Sequence, residues 1–337
     1  MQPLRVGIVG LRHLHPRAYM ASFASVSEFE VVAAAENDPA VREAFGRDFA
    51  VRCYGDWREM IEHETLQMAA IFLPHVECPE AAIACARRGL HVMVEKPMAA
   101  SAAGAWSMVE AAREARVVLS TPYVWRFHPV VCAIRESARA GDLGTIVGCE
   151  GRCAAGRLHR YIEGHAAWML DRRQSGGGPM YNLGVHWIDL YRWLLEDEVV
   201  DAVGRNVHVN REFDVEDNSF ALLTFARGTV LSLDISYTVP DSYPAGRDLY
   251  LALRGTRGVV QWSPSFEGTR EDLFVCTAEP RHVAFEIEPH PGYAGIMTVR
   301  YLHALARTIV DGGAPPVSGE DGARALEVVE KIYASVL

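Results

Sequence analysis

An alternation in the first 120 residues constrains this chain more than anything else in it. Short apolar runs at 4–10, 29–35, 68–73, 92–94 and 117–119 alternate with helix-forming stretches at 16–26, 39–50, 79–89 and 101–115. Strands this short, recurring with helices between them, predict a parallel sheet covered on both faces. The first run ends at Gly10. The second ends at Glu36, followed by the turn Asn37-Asp38-Pro39.

The pattern changes after residue 123. A helix at 129–140 stops at Gly141, and strand-like segments follow at 145–153, 201–212, 218–226, 229–238, 247–254 and 258–262. Turn signals such as Ala226-Arg227-Gly228 separate them, as in antiparallel hairpins. An aromatic helix at 183–195 interrupts the series, and helices at 295–311 and 320–335 close the chain. With 337 residues, more than one core is expected. The predicted fold is α/β: an N-terminal doubly wound parallel sheet over 1–123, then a C-terminal α+β domain over 124–337 built on a large, mainly antiparallel sheet.

Charge narrows the partners. A net charge of −10 opposes binding to nucleic acid or an anionic membrane, both of which need a positive field. No apolar run approaches the roughly twenty residues of a membrane span. The amino terminus enters a strand directly, without a signal-peptide pattern. Seven scattered cysteines, with no second pair beside Cys149 and Cys153 to complete a zinc pattern, predict reduced thiols and a cytoplasmic protein.

Gly10, ending a strand and opening a helix, occupies the phosphate-binding position of a dinucleotide fold. The fingerprint is altered, because Gly10-Leu11-Arg12-His13-Leu14-His15 places Arg12 and His15 where further glycines are usual. Glu36 ends the second run at the distance expected of the ribose-binding acid, which would favour NAD over NADP by repelling a 2′-phosphate. Arg12 adds a cation beside the pyrophosphate, and His13 lines the turn. Leu73, Pro74 and His75 follow a strand on the same carboxyl edge and are expected beside the cofactor. His13 and His15 also suggest a metal-dependent hydrolase, but such sites need further ligands on a β/α barrel, and the second half here is antiparallel in character. No metal is expected.

Lys96 stands out by composition. Only two of the 33 basic residues, Lys96 and Lys331, are lysines. An arginine cannot exchange a proton near neutral pH, whereas a lysine amine is readily tuned to do so. Lys96 follows an apolar run within Glu95-Lys96-Pro97, and Pro97 holds it in extended geometry. Glu95 is expected beside the cofactor or in a structural role on the other side of the strand.

In the second half, Arg126 lies where the pattern changes, at an expected interdomain cleft. It is a candidate for a polar substrate or for an interdomain salt bridge. Gly176-Gly177-Gly178 leads into a helix carrying Asn182, His186 and Asp189, spaced to share one helical face. Arg157, His159, Arg160 and His165, in the preceding loop, are further candidates for meeting an acidic substrate.

These motifs, in this order, resemble the glucose–fructose oxidoreductase and inositol 2-dehydrogenase (Gfo/Idh/MocA) family. The resemblance rests on Val6-Gly7-Ile8-Val9-Gly10, Glu36, Glu95-Lys96-Pro97, Asp142-Leu143-Gly144-Thr145-Ile146, Gly184-Val185-His186-Trp187-Ile188-Asp189 and Pro316-Val317-Ser318-Gly319-Glu320-Asp321-Gly322, across nearly the whole chain. It implies an N-terminal Rossmann domain followed by a domain on an open, mainly antiparallel sheet, a nicotinamide cofactor, oxidation of a sugar or cyclitol hydroxyl or the reverse, and oligomerisation through the C-terminal sheet as a homodimer or homotetramer. It places Lys96 near the nicotinamide and the reacting oxygen, and it makes His186 the acid/base. An aspartate commonly supports that histidine from four residues earlier; Asn182 stands there in this chain.

The expected function is therefore NAD-dependent hydride transfer to or from a secondary hydroxyl of a sugar, sugar acid or cyclitol. Lys96, His186 and Asn182 are the catalytic candidates. Gly10, Arg12, His13, Glu36, Leu73, Pro74, His75, Glu95 and Lys96 are the cofactor candidates, and Arg126, Asn182, His186 and Asp189 the substrate candidates. The alternatives are an NAD-using glycosidase or lyase without net redox, and a non-catalytic NAD- or sugar-binding protein.

Overall fold

The computed structural model describes residues 2–156, 158–240, 242–266 and 268–335; Arg157 lies outside them. The chain divides into two compact units. The first holds Met1–Pro122, His159–Gly176 and His290–Leu326, and the second Tyr123–Leu158, Gly177–Pro289 and Glu327–Leu337.

The first unit is a Rossmann-like layer structure. Its strands are β1 Leu4–Val9, β2 Phe29–Ala35, β3 Arg52–Tyr54, β4 Met68–Ile71, β5 His91–Val94 and β6 Leu119–Ser120. They pair in parallel in the order β3-β2-β1-β4-β5-β6. Helices α1 Pro16–Ala24, α2 Pro39–Phe49, α3 Trp57–His63, α4 Cys78–Arg87 and α5 Ala102–Ala115 connect them. Local chemistry starts two of these helices: Asp38 caps α2 by accepting from the N–H groups of Ala40 and Val41, and Ser101 caps α5 by accepting from Gly104. The central strand β4 is buried at every residue, which accounts for its unbroken apolar run. Strand order reverses between β1 and β4, and in sheets of this kind ligands bind at the carboxyl ends beside such a reversal. Two further helices, α7 His159–Glu163 and α8 Arg172–Ser175, belong to this unit, as does α10 Ile296–Asp311.

The second unit starts with α6 Pro129–Ala140, where Pro129 follows the cap His128 and Gly141 ends the helix in the left-handed region. Its sheet comprises β7 Ile146–Ala155, β8 Val199–Val207, β9 Asn218–Phe225, β10 Val230–Ser236, β11 Arg247–Gly255, β12 Val259–Trp262, β13 Arg270–Cys276 and β14 Pro280–Glu286. The order is β14-β13-β12-β11-β7-β10-β9-β8, antiparallel except where β10 pairs in parallel with β7. Helix α9, Val185–Leu195, meets this sheet through Trp187, which reaches β11 and β7. Trp187 donates its indole N–H to the Tyr250 carbonyl at 3.1 Å, and a β-carbon at Gly151 would stand 2.3 Å from the same ring. Glycine at 151 therefore makes room for the indole. The buried Leu190 and Leu194 each add about 2 kcal/mol of apolar burial. The final helix is α11, Gly319–Ala334.

Several elements differ from the sequence expectation. The strand predicted over 201–212 ends at Val207, and the helix predicted to begin at 183 is preceded by a π-helical turn, Met180–Gly184. The short β3 and α3, the helical turns of 159–175 and the β13–β14 hairpin were not predicted.

Candidate active site

The cofactor turn is built by Gly10. Its φ of +87° suits glycine, and a β-carbon there would lie 2.9 Å from the Leu73 side chain and 3.0 Å from backbone atoms of Phe72 and Leu73. The turn after β1 and the loop after β4 thus approach each other as closely as backbones allow. Glu36, at the end of β2, accepts the Leu11 N–H at 2.8 Å and the Asp38 N–H at 3.0 Å. Its Oε1 stands 3.2 Å from Nε of Arg12. A cavity of about 220 Å³ opens here, lined in part by Gly10, Arg12, Glu36, Trp57, Leu73 and Pro74. The close glycine turn, a carboxylate at the end of β2 and a concavity between them fit a dinucleotide with its pyrophosphate at the turn.

His75 is buried and hydrogen-bonded through Nδ1 to the Ser175 carbonyl at 2.8 Å. Burial lowers its pKa to about 3, so the ring is neutral, with Nδ1 as the donor. Trp168 packs edge-on against His75 at 4.7 Å, and its indole N–H donates to the Arg12 carbonyl. The N–H of Val76 donates to the Gln174 carbonyl at 3.1 Å. Residues 168–175 therefore strap the first turn to the loop after β4. Sequence reading missed this strap, whose contacts span up to 156 residues.

His13 and Glu95 are not among the residues lining the 220 Å³ cavity. They are buried and form a separate group with the half-buried His15. His15 Nδ1 lies 3.2 Å from the Glu95 carboxylate, and its ring stacks on Tyr293 at 3.9 Å. Burial, then the neighbouring His15, holds the His13 pKa well below its ordinary value, and burial raises that of Glu95. Lys96, next in the chain, is 2% exposed and joined to Pro97 by a cis peptide bond.

In the second unit, Gly178 is gripped by Glu216. The Gly178 N–H donates to Glu216 Oε1 at 3.1 Å, and a β-carbon would lie 2.1 Å from the Glu216 carbonyl. Tyr333 donates its hydroxyl to the same carboxylate. The glycine-rich stretch is thus pinned where it enters the π-helical turn carrying Asn182. Asn182 donates to the Tyr237 hydroxyl at 3.0 Å. His186, on the first turn of α9, faces the Tyr123 ring edge-on at 5.8 Å. Asp189 is fully buried and receives a two-pronged ion pair from Arg126, with Nε to Oδ2 at 2.9 Å. The three polar groups expected on one helical face thus have separate partners, and Arg126 and Asp189 satisfy each other. Tyr237 and Glu216 carried no local sequence signal.

Comparison with known proteins identifies the group. Residues 4–123 match the model of the oxidoreductase family with an NAD-binding Rossmann fold, and residues 131–261 match the GFO/IDH/MocA C-terminal domain. The chain belongs to the Gfo/Idh/MocA family. It is an oxidoreductase of the NAD(P)-dependent dehydrogenase kind. It is 24% identical over 332 residues to D-xylose 1-dehydrogenase (NADP(+)) 2 of Haloferax volcanii, covering 98% of this chain and 96% of that protein. It is 25% identical over 333 residues to D-apiose dehydrogenase of Paraburkholderia graminis, covering 98% and 85%. The fold is shared with the crystal structure of aldose-aldose oxidoreductase from Caulobacter crescentus complexed with glycerol, at a TM-score of 0.85 and 23% identity over 99% of this chain and 97% of that one. Among the described residues of this Gfo/Idh/MocA member, no helix is long and apolar enough to cross a membrane.

Proposed function

We propose that this protein transfers a hydride between NAD and a secondary hydroxyl of a sugar, sugar acid or cyclitol. The observation that carries this reading is Lys96: a buried amine at the end of β5, on the same carboxyl edge of the parallel sheet as the Gly10 turn. The names of the two relatives, both sugar dehydrogenases, support the substrate class. Bound NAD supplies the hydride acceptor. The close Gly10 turn and the Arg12 side chain would border the pyrophosphate, and Glu36 would accept hydrogen bonds from the adenosine ribose and oppose a 2′-phosphate. Leu73 and Pro74 border the cofactor, and His75 braces the loop that carries them.

The lysine amine holds the reacting oxygen and stabilises alkoxide charge as it develops. His186 accepts the hydroxyl proton, and Asn182, anchored on Tyr237, orients the substrate or the imidazole. Arg126 and Asp189 support this side of the site by locking the segment before α6 to α9. The test is a panel of polyols and sugar acids with NAD or NADP, followed by the absorbance of the reduced nucleotide. Turnover with a polyol supports the reading, and binding without reduction across the panel contradicts it.

A second copy of the chain completes the proposal. On β8 and β9 the inward residues Ala221, Leu223 and Phe225 are buried, while Val203, Phe220 and Leu222 stand 41–52% exposed on the opposite face. These residues border a concavity of about 720 Å³ that includes Arg152, Asp234 and Tyr250. An apolar patch with a charged border on an open sheet suits self-association into a homodimer or homotetramer. Replacing both Phe220 and Leu222 by Asp should shift the mass measured by light scattering to that of a monomer; an unchanged mass removes this face from the assembly.

A further inference from the structure

We propose that His13, His15 and Glu95 form a binding site for a zinc-class divalent cation, clamping the turn after β1 to the end of β5. Each side chain offers one ligand atom, and these atoms lie within 4.8 Å of one another. Two imidazoles and a carboxylate are a borderline-soft donor set, suited to zinc or cobalt and unlike the all-oxygen shells of magnesium and calcium. Zinc bonds of about 2.0–2.1 Å place tetrahedral ligands roughly 3.3 Å apart. The His15 Nδ1 to Glu95 Oε1 separation, 3.2 Å, already meets that spacing.

Burial and hydrogen bonding point the same way. His13 is 4% and Glu95 3% exposed, and His13 Nε2 meets no hydrogen-bond partner, while His15 and the Tyr19 hydroxyl approach the Glu95 carboxylate. The cluster brings one carboxylate and two imidazoles together largely out of water, a donor set that a divalent cation would join. Tyr293 stacks on the His15 ring, and Tyr19 packs beside Tyr293 at 5.4 Å, so the ligand side chains have aromatic support. His13 Nδ1 accepts the His15 N–H at 3.1 Å. Ligation through Nε2 moves the ring proton to Nδ1 and opens that contact, a change confined to the His13–His15 turn. None of the three ligands lines the cavity beside Glu36.

The test uses the full chain, stripped with EDTA, dialysed, and titrated with zinc chloride by calorimetry and with cobalt chloride by visible absorption. The expected result is one equivalent per chain, a dissociation constant below about 10 μM at pH 7.5, and a tetrahedral cobalt spectrum. His13→Asn and Glu95→Gln should each weaken binding at least about a hundredfold. Affinity should fall on acidification, because the ligands must be deprotonated. Wild-type binding weaker than about 10 μM, or undiminished binding in both variants, overturns the proposal. Should the variants fail to fold, zinc-edge anomalous diffraction from wild-type crystals grown with one equivalent of zinc decides. A peak among the three side chains upholds the site, and its absence there overturns it.

Discussion

Nε of Arg12 stands 3.2 Å from the Glu36 carboxylate, which also accepts backbone hydrogen bonds from Leu11 and Asp38. Glu36 therefore ties the cofactor turn to the end of β2 and places a negative charge beside a cation that would otherwise welcome a 2′-phosphate. Removing the acid leaves Arg12 available to that phosphate. Glu36→Ser should raise the ratio of kcat/KM for NADP to that for NAD at least about tenfold, a difference of roughly 1.4 kcal/mol. Steady-state kinetics with both nucleotides measure it, and an unchanged ratio would take Glu36 out of cofactor selection.

The Arg126–Asp189 pair predicts a stability signature. Both groups are buried, so Asp189→Asn strands a guanidinium in the core and should cost about 3 kcal/mol, within the range for breaking one side of a buried pair. The double variant Arg126→Met/Asp189→Leu removes both charges and should recover most of that loss. Urea unfolding followed by tryptophan fluorescence compares the three proteins. Equal destabilisation of the single and double variants would show that packing, not charge, governs this position.

His75 predicts a pH dependence. Its folded pKa, about 3, lies below the unfolded value near 6.5, so the unfolded chain binds a proton that the folded chain does not. The stability associated with its neutral form is present above pH 6.5 and is lost as pH falls from there towards 3. His13, lowered as well, acts in the same direction. Glu95, raised by burial, acts oppositely, because its folded form keeps a proton that the unfolded form releases as pH rises past about 4.5. His75→Asn retains a donor for the Ser175 carbonyl but does not titrate. Its urea midpoint should therefore fall less steeply than the wild-type midpoint between pH 6.5 and 5. Parallel curves would contradict a neutral, buried His75.

Much of the fold was legible because its strands are chemically extreme. Parallel strands such as β4, buried on both faces, leave unbroken apolar runs, and helices such as α2 and α5 begin at capping residues that local rules recognise. The β13–β14 hairpin was not legible, because β14 is largely exposed and both strands carry charge, as at Arg270, Asp272, Arg281 and Glu286. Contacts remote in sequence were hidden for the same reason throughout the candidate site. Nothing local reveals that Trp168 reaches the Arg12 carbonyl, that Tyr237 holds Asn182, or that Glu95 meets His15 eighty residues away. Helical spacing did place Asn182, His186 and Asp189 in adjoining turns. It could not anticipate the π-helical turn under Asn182 or the arginine that occupies Asp189.

We propose that Lys96 and His186 carry NAD-linked oxidation of a polyol. This is tested most directly by the rate of NADH formation with the best polyol of a panel, in the wild type, Lys96→Met and His186→Ala. Each substitution should lower kcat/KM at least about a hundredfold, as for loss of a positioned acid or base, while NAD binding measured by calorimetry is retained. Unchanged rates in both variants would contradict the account.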